Sequence, residues 1–370
     1  MFQIKKGNIA DIKQAALIVK VVSSCNLACR YCDADIYSNQ RMRYDTLYTL
    51  IEKTLRSFDS VNFIWHGGEP LSLGLDFYKK VMAIEDELVD KRHSVRNSLQ
   101  TNGTLLNNEW LEFFDKNKFS FGISFDGSET IHDKNRVFKN GKGSHSNVTN
   151  AIRLIQEKHM NVGIIAVVTE ETVKLNPEEF LGFFLDNGIK NISLNWERPR
   201  FNLNEVNGLE RDKYSEFINK LFDVWYKKCS LEVNIREFRS IMNALAGGRS
   251  NFCILAGECI GKYFGISPDG DVYHCDEFMF DDNYKLGNIA IHDFKDILIS
   301  EKIKLLSSRN QGQIEKLRCK WINVCNGGCP KDRYVMGRYG HGTTHLYCCG
   351  WSKIIEHIAN EISVEIRRYG

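Results

Sequence analysis

Between residue 16 and about residue 200 the chain alternates short β-branched or aromatic runs with amphipathic stretches, and that alternation narrows the folds open to it. Runs at 16–22, 61–65, 96–99, 119–125, 162–168 and 191–196 have the length and composition of strands. Between them, 44–56, 76–89, 108–116, 147–158 and 177–187 carry apolar residues at helical spacing. Strands separated by helices pair in parallel, with the helices covering the sheet. Spacing alone leaves both a partial barrel and a doubly wound sheet open.

The placement of polar motifs favours the barrel. Cys25, Cys29 and Cys32 follow the first strand, and His66-Gly67-Gly68-Glu69-Pro70 ends the second. Thr101-Asn102-Gly103, Ser124-Phe125-Asp126 and Asn195-Trp196-Glu197 follow three others. In βα barrels those strand ends form one rim, where chemistry is assembled. The run Cys25-Asn-Leu-Ala-Cys29-Arg-Tyr-Cys32 spaces three thiols closely enough to converge on one metal centre. Three thiolates on a four-iron cluster leave one iron free to bind a substrate or cofactor. A structural zinc site would want four closed ligands, usually from C-x2-C pairs.

Twelve cysteines in 370 residues is a high count, and in a reducing compartment they read as metal ligands rather than disulfides. Eleven lie in the triplet or beyond residue 250; Cys229 stands apart and reads as a small buried hydrophobe. A net charge of +2 with short, mixed charge runs argues against a nucleic-acid partner. The first residues hold no signal-peptide pattern, and no stretch approaches the ~18 apolar residues of a membrane span. The expectation is a cytoplasmic protein with no membrane partner.

The triplet, with Tyr31 just before its last cysteine, resembles the cluster motif of the radical S-adenosylmethionine (radical SAM) enzymes. The resemblance implies an open six-repeat barrel, a partial (β/α)6 fold, and a [4Fe-4S] cluster whose open iron chelates S-adenosyl-L-methionine. It also implies that Gly67, Gly68 and Glu69 hold the methionine amino group, and that Tyr31, Ser124 and Arg136 stand at cofactor-contacting positions. Glycines let a ligand approach the backbone, and a guanidinium clamps a carboxylate with two bonds. The bland alternatives are an ordinary turn, a capping serine and a surface arginine.

Beyond a helical connector the chain changes character, with many cysteines and glycines, short strands and little helical period. Cys253, Cys259 and Cys275 surround a strand-turn-strand whose Asp269-Gly270 reads as a hairpin. Cys319, Cys325 and Cys329 follow, then Cys348 and Cys349. These spacings resemble a SPASM domain, the auxiliary-cluster module of radical SAM enzymes that act on peptides and proteins. The expected organisation is a barrel over 1–205, a connector over 206–250, a SPASM module over 251–350 and a closing helix over 351–370. By that pattern Cys253, Cys259, Cys275 and Cys329 hold one auxiliary [4Fe-4S] cluster, and Cys319, Cys325 and Cys349 a second. Lys316 stands where a further cysteine is expected, so either Cys348 supplies the thiolate or that cluster keeps an open iron. Zinc remains the alternative occupant of such a module.

Asp276, directly after Cys275, matches the position of the proposed substrate base in anaerobic sulfatase-maturing members. Beside anionic clusters in a water-poor cavity its pKa is expected to rise; the alternative is a role in the fold alone. Two enzyme readings result. The first is a maturase of a ribosomally made precursor peptide, installing a carbon–carbon cyclophane-type or related cross-link. The second is an anaerobic sulfatase maturase, oxidising Ser or Cys to formylglycine. His66, where those enzymes usually carry Gln, and Lys316 favour the first. Both use hydrogen abstraction by a 5′-deoxyadenosyl radical, an auxiliary cluster as electron acceptor, and a flavodoxin- or ferredoxin-type donor. A non-enzymatic cysteine-rich metal-binding protein is the third reading, and it leaves the shared rim unexplained.

Overall fold

A computed structural model of the chain describes residues 9–32, 39–198, 200–202, 205–250, 252–339 and 350–369. Six parallel strands lie side by side in chain order: β1 (Gln14–Val22), β2 (Ser60–Gly67), β3 (Ser94–Thr101), β4 (Ser120–Ser124), β5 (Gly163–Val168) and β6 (Asn191–Trp196). The crossovers hold α1 (Tyr44–Ser57), α2 (Leu75–Leu88), α3 (Asn108–Lys116), α4 (Glu129–Asn135), α5 (His145–Glu157) and α6 (Pro177–Asp186). Local chemistry sets their ends. Asn176, for example, accepts from the Glu178 amide at 2.9 Å, with Pro177 in the first turn of α6.

Period-two alternation gives this sheet two unlike faces. On β2, Val61, Phe63 and Trp65 are buried against the helices, and Trp65 gives its indole N–H to Asn97 Oδ1 at 2.8 Å. Each such side chain contributes roughly 1.5–3 kcal/mol on burial. The intervening residues are half-buried and largely polar, and they bond from strand to strand: Ser98 to Asn62 at 3.0 Å, Gln100 to Ser124 at 3.1 Å, Lys20 to His66 at 3.2 Å. A polar concave face bounded by an apolar core is a cavity wall.

Beyond β6 come a hairpin of β7 (Arg200–Asn202) and β8 (Glu205–Asn207), then α7 (Arg211–Lys228), β9 (Asn234–Ile235) and α8 (Arg236–Leu245). The cysteine-rich region contains α9 (Cys253–Ala256), β10 (Tyr263–Ile266), β11 (Asp271–His274), β12 (Lys285–Asn288), α10 (Phe294–Ile299), α11 (Glu301–Glu315), α12 (Ile322–Cys325) and α13 (Pro330–Tyr339). The closing helix, α14 (Ser352–Tyr369), buries Ile354, Ile355 and Ile358 and packs chiefly on α7 and α8.

The sheet does not stop at six strands. Strand β10 pairs in parallel with β1, from Ala16 opposite Tyr263 to Val19 opposite Ile266, and β9 pairs with β6 at the other edge. The order is β12-β11-β10-β1-β2-β3-β4-β5-β6-β9. An open barrel leaves β1 with unpaired backbone groups, and the cysteine-rich hairpin covers them. Helices α10 and α11 depart from the expectation of little helical period. Over its length α11 buries only Ile303, Leu306 and Ile314 and leaves Leu305 exposed, so its apolar stripe is faint in the sequence.

Candidate active site at the rim of the sheet

The three-thiol loop leaves β1 and is tied down by backbone bonds from outside it. The Ala28 amide donates to Val137 O at 2.8 Å, and the Arg30 amide to Asn135 O at 2.9 Å. Leu27 forms a bridge with Phe138. Cys25 Sγ accepts from the Leu27 amide at 3.4 Å and from Asn102 Nδ2 at 3.7 Å. Burial pushes the Cys25 thiol up to about 12, with Glu69, Cys29 and Cys32 adding to it. Burial likewise pushes Cys29 to about 11, while Arg136, bonded to that sulfur, works against it.

The Gly67-Gly68-Glu69 turn passes directly over this loop. Gly67 has φ 149°, and a Cβ on Gly68 would collide with the carbonyl oxygens of Ser23 and Ser24. Glu69 is fully buried, and its carboxylate accepts from the Leu71 amide at 2.9 Å, Thr101 Oγ1 at 2.7 Å and the Asn102 amide at 2.8 Å. Burial still carries it up to about 7 against those three bonds. Glu69 therefore welds the ends of β2 and β3 together, and Asn102 carries the connection on to Cys25.

Tyr31, Ser124 and Arg136 all reach the rim, but Arg136 spends its fork inside the protein. Its Nε and Nη2 donate to Asp126 at 3.1 and 3.2 Å, and Tyr31 donates its hydroxyl to the same carboxylate. Asp126 is fully buried and also accepts from the Val167 amide at 3.0 Å. The guanidinium lies 5.2 Å from the centre of the Tyr31 ring. Asp126 thus joins the thiol loop to β4 and β5. In the sequence it stood inside a quoted motif without a role of its own.

Across the rim the auxiliary cysteines gather. Burial pushes Cys259 up to about 12, with Cys253 adding to the shift. Burial, then the charges of Cys253, Cys259 and Cys275, carries the Tyr263 hydroxyl to about 12, and Cys275 in turn feels Cys329. Cys253, Cys259 and Cys275 thus lie around Tyr263, with Cys329 near Cys275. Cys319 and Cys325 flank α12, with Cys325 buried, and Lys316 is the exposed cap of α11. Cys348 and Cys349 lie outside the described residues.

Asp276 turns back over β10 toward the rim. Cys275 holds φ 63° and ψ 159°, a region nearly reserved for glycine and costing about 1–3 kcal/mol. Gly265 leaves room for the crossing, since a Cβ there would stand 2.7 Å from Cys275 O. Lys20 Nζ lies 3.9 Å from Asp276 Oδ2. Burial favours the neutral acid, but the Lys20 ammonium, together with hydrogen bonds that include one from the Cys275 thiol, holds Asp276 below the usual carboxylate range while the thiols are metal-free. Lys20, one polar position in the first strand run of the sequence, is thus the cation that faces Asp276. Arg198 closes the same seam, donating to Asp332 Oδ1 at 2.7 Å and to Glu277 Oε1 at 2.9 Å.

All-thiol donor sets, protonated while metal-free and deprotonated on ligation, fit iron–sulfur clusters. A three-thiol loop at a parallel-sheet rim, in one structure with a four-thiol module, is a donor set for more than one iron–sulfur cluster. Residues 19–183 match the radical SAM superfamily and residues 253–330 the iron–sulfur cluster-binding SPASM domain. A cysteine-type anaerobic sulfatase-maturating enzyme of Clostridium perfringens (strain 13) is 31% identical over 86% of this chain and 89% of its own. A serine-type enzyme of Bacteroides thetaiotaomicron is 30% identical over 94% and 90%. The solved structure of anSMEcpe with bound AdoMet and Cp18Cys peptide superposes with a TM-score of 0.83 at 28% identity, over 96% of this chain and all of that one. Streptococcus suis SuiB bound to S-adenosylmethionine shares the fold, with a TM-score of 0.59 at 16% identity, over 92% of this chain and 75% of its own. This chain belongs to the radical SAM superfamily and carries a SPASM domain. It is a radical SAM enzyme, with S-adenosyl-L-methionine and iron–sulfur clusters as its cofactors. Among the described residues no helix is long and apolar enough to cross a membrane.

Proposed function

We propose that this enzyme oxidises a Cys or Ser side chain of a protein substrate to an aldehyde, as an anaerobic sulfatase-maturing enzyme. The observation that carries the reading is Asp276, a carboxylate set over the rim by the SPASM hairpin with its Oδ2 3.9 Å from Lys20 Nζ. Likeness to sulfatase-maturating enzymes of both types, along nearly the whole chain, supports it. The cross-linking maturase, which His66 and Lys316 favoured, becomes the second reading, because its likeness to SuiB supports the fold alone.

When bound, the cofactor and clusters supply a 5′-deoxyadenosyl radical and an electron acceptor. The chain's residues do the rest. Cys25, Cys29 and Cys32 hold the cluster that meets the cofactor; Cys253, Cys259, Cys275 and Cys329 hold an auxiliary one. Cys319, Cys325 and Cys349 would hold another, with Cys348 as its fourth thiolate or with one iron left open. The Gly67-Gly68 backbone and Ser124 contact the cofactor, with Glu69, Tyr31 and Arg136 fixing the walls around it. Asp276 takes the proton from the substrate Sγ or Oγ as the carbon–heteroatom double bond forms. A cysteine product is a thioaldehyde, which water converts to the aldehyde with release of hydrogen sulfide. The reducing electron comes from a flavodoxin- or ferredoxin-type donor in a cytoplasmic setting.

The test uses the anaerobically reconstituted protein with S-adenosyl-L-methionine, a low-potential reductant and a sulfatase-motif peptide carrying cysteine or serine. A hydrazide-reactive carbonyl formed alongside 5′-deoxyadenosine is the expected result. A peptide that loses a pair of hydrogens, with fragmentation blocked between two residues, would instead establish the cross-linking maturase.

A further inference from the structure

Strands β10, β1 and β2 lie side by side, and their rim ends present three groups in a row. Lys20 and His66 are register partners across β1 and β2. Two residues back along β1, across its other seam, Ile18 faces Gly265, over which Cys275 and Asp276 cross. Lys20 Nζ reaches His66 Nδ1 at 3.2 Å on one side and Asp276 Oδ2 at 3.9 Å on the other. His66 Nδ1 also lies 2.8 Å from the Gly67 amide, so this nitrogen serves as an acceptor between two donors. The Lys20 side chain is 16% exposed and that of Asp276 29%, so water screens the pair only in part.

The two oxygens of Asp276 are held differently. Oδ1 accepts from the Cys275 thiol at 3.2 Å, whereas Oδ2 faces Lys20. A cysteine that ligates iron has no thiol proton left to donate. In the holoenzyme the Cys275 bond is therefore lost and Lys20 remains as the cation on this carboxylate. The hairpin bearing Asp276 leaves β11 through a strained Cys275 and a three-residue turn, Asp276–Phe278. Such a segment needs an external tether to keep one orientation.

We propose that Lys20 is the positioning residue of Asp276, its ammonium anchored by His66 on β2 and tethering the SPASM carboxylate over the barrel rim. This deepens the sulfatase-maturing reading and rests on it for the identity of the product. His66 belongs to the device because it fixes the ammonium from the side away from Asp276. The tether crosses from β1 to the cysteine-rich hairpin, so it also registers the two halves of the site against each other.

The experiment compares wild type with Lys20→Met and Lys20→Arg, each as full-length reconstituted enzyme with iron and sulfide contents matched. On the sulfatase-motif cysteine peptide, Lys20→Met is expected to form 5′-deoxyadenosine at close to the wild-type rate. Carbonyl product per 5′-deoxyadenosine is expected to fall by about tenfold or more, because the base is present but misplaced. Lys20→Arg, which keeps the cation, should recover most of that ratio. A ratio unchanged in Lys20→Met, or 5′-deoxyadenosine lost in step with product, overturns the proposal. Amide hydrogen exchange of residues 271–280 in the same samples needs no substrate. Faster exchange in Lys20→Met supports the tether, and unchanged exchange overturns it. A wild-type enzyme that makes 5′-deoxyadenosine but no carbonyl defeats the reaction reading, and the exchange measurement then still decides the tether.

Discussion

The two halves of this site are held by different forces. The barrel half fixes its cysteine loop with backbone hydrogen bonds to Asn135 and Val137 and with the buried hubs Glu69 and Asp126. The SPASM half meets it along a seam of ion pairs, Lys20 with Asp276 and Arg198 with Glu277 and Asp332. Carboxylates report the contrast. Glu69 and Glu85, buried without a nearby cation, are pushed up to about 7, whereas Asp276, facing Lys20, is held low against its burial. On the proposed function, radical generation would rest on satisfied backbone and buried acids, and the later proton step on charge pairs between modules.

The largest expected effect is at the barrel loop. Cys29→Ala should reduce 5′-deoxyadenosine formation to background, with or without peptide, as measured by chromatography. Formation at a substantial fraction of the wild-type rate would separate this cysteine from the radical step. Next comes the seam. Arg198→Met takes the ion-pair partner from the Asp332 carboxylate, whose side chain is 2% exposed. Among the described residues that carboxylate then keeps only a 3.4 Å contact from Trp351 Nε1 as its side-chain donor. The change should cost about 3–5 kcal/mol in denaturant unfolding. A cost below about 1 kcal/mol would mean that the seam is wetter than its burial implies.

A smaller change probes the barrel hub. Thr101→Val removes one of the three donors on Glu69 and should cost roughly 1–2 kcal/mol. The smallest effect is a slope. Glu85, behind the sheet, bonds Asn97 through Oε2 and leaves Oε1 unpartnered. Its carboxyl rises from 4.5 to about 7, so across that window the native state keeps a proton that the unfolded chain has released. Unfolding free energy should therefore fall as pH rises from about 4.5 to about 7. Glu85→Gln should flatten that slope, and identical slopes would contradict the assignment.

What the sequence disclosed, and what it hid, follows the same division. Six strands, their helices and the motifs at the strand ends are local patterns, and they were legible as such. The grouping of Cys253, Cys259, Cys275 and Cys329 came from resemblance to a SPASM domain, and the structure sets these residues near one another. Lys20 was not legible, because a polar residue on alternate strand positions looks the same whether it faces solvent or Asp276, 256 positions away. Arg136 was expected to clamp a carboxylate and does so, but the carboxylate is the protein's own Asp126. The pairing of β10 with β1 was equally hidden, since an unpaired strand edge does not name its partner.

The central claim is that the barrel makes the radical while Asp276, delivered by the SPASM hairpin, completes the oxidation. Asp276→Asn in the fully reconstituted enzyme tests it directly, with 5′-deoxyadenosine and peptide carbonyl counted in one reaction. The account predicts 5′-deoxyadenosine near the wild-type level and carbonyl reduced by about a hundredfold. Carbonyl formation undiminished, or lost only in proportion to 5′-deoxyadenosine, would contradict it.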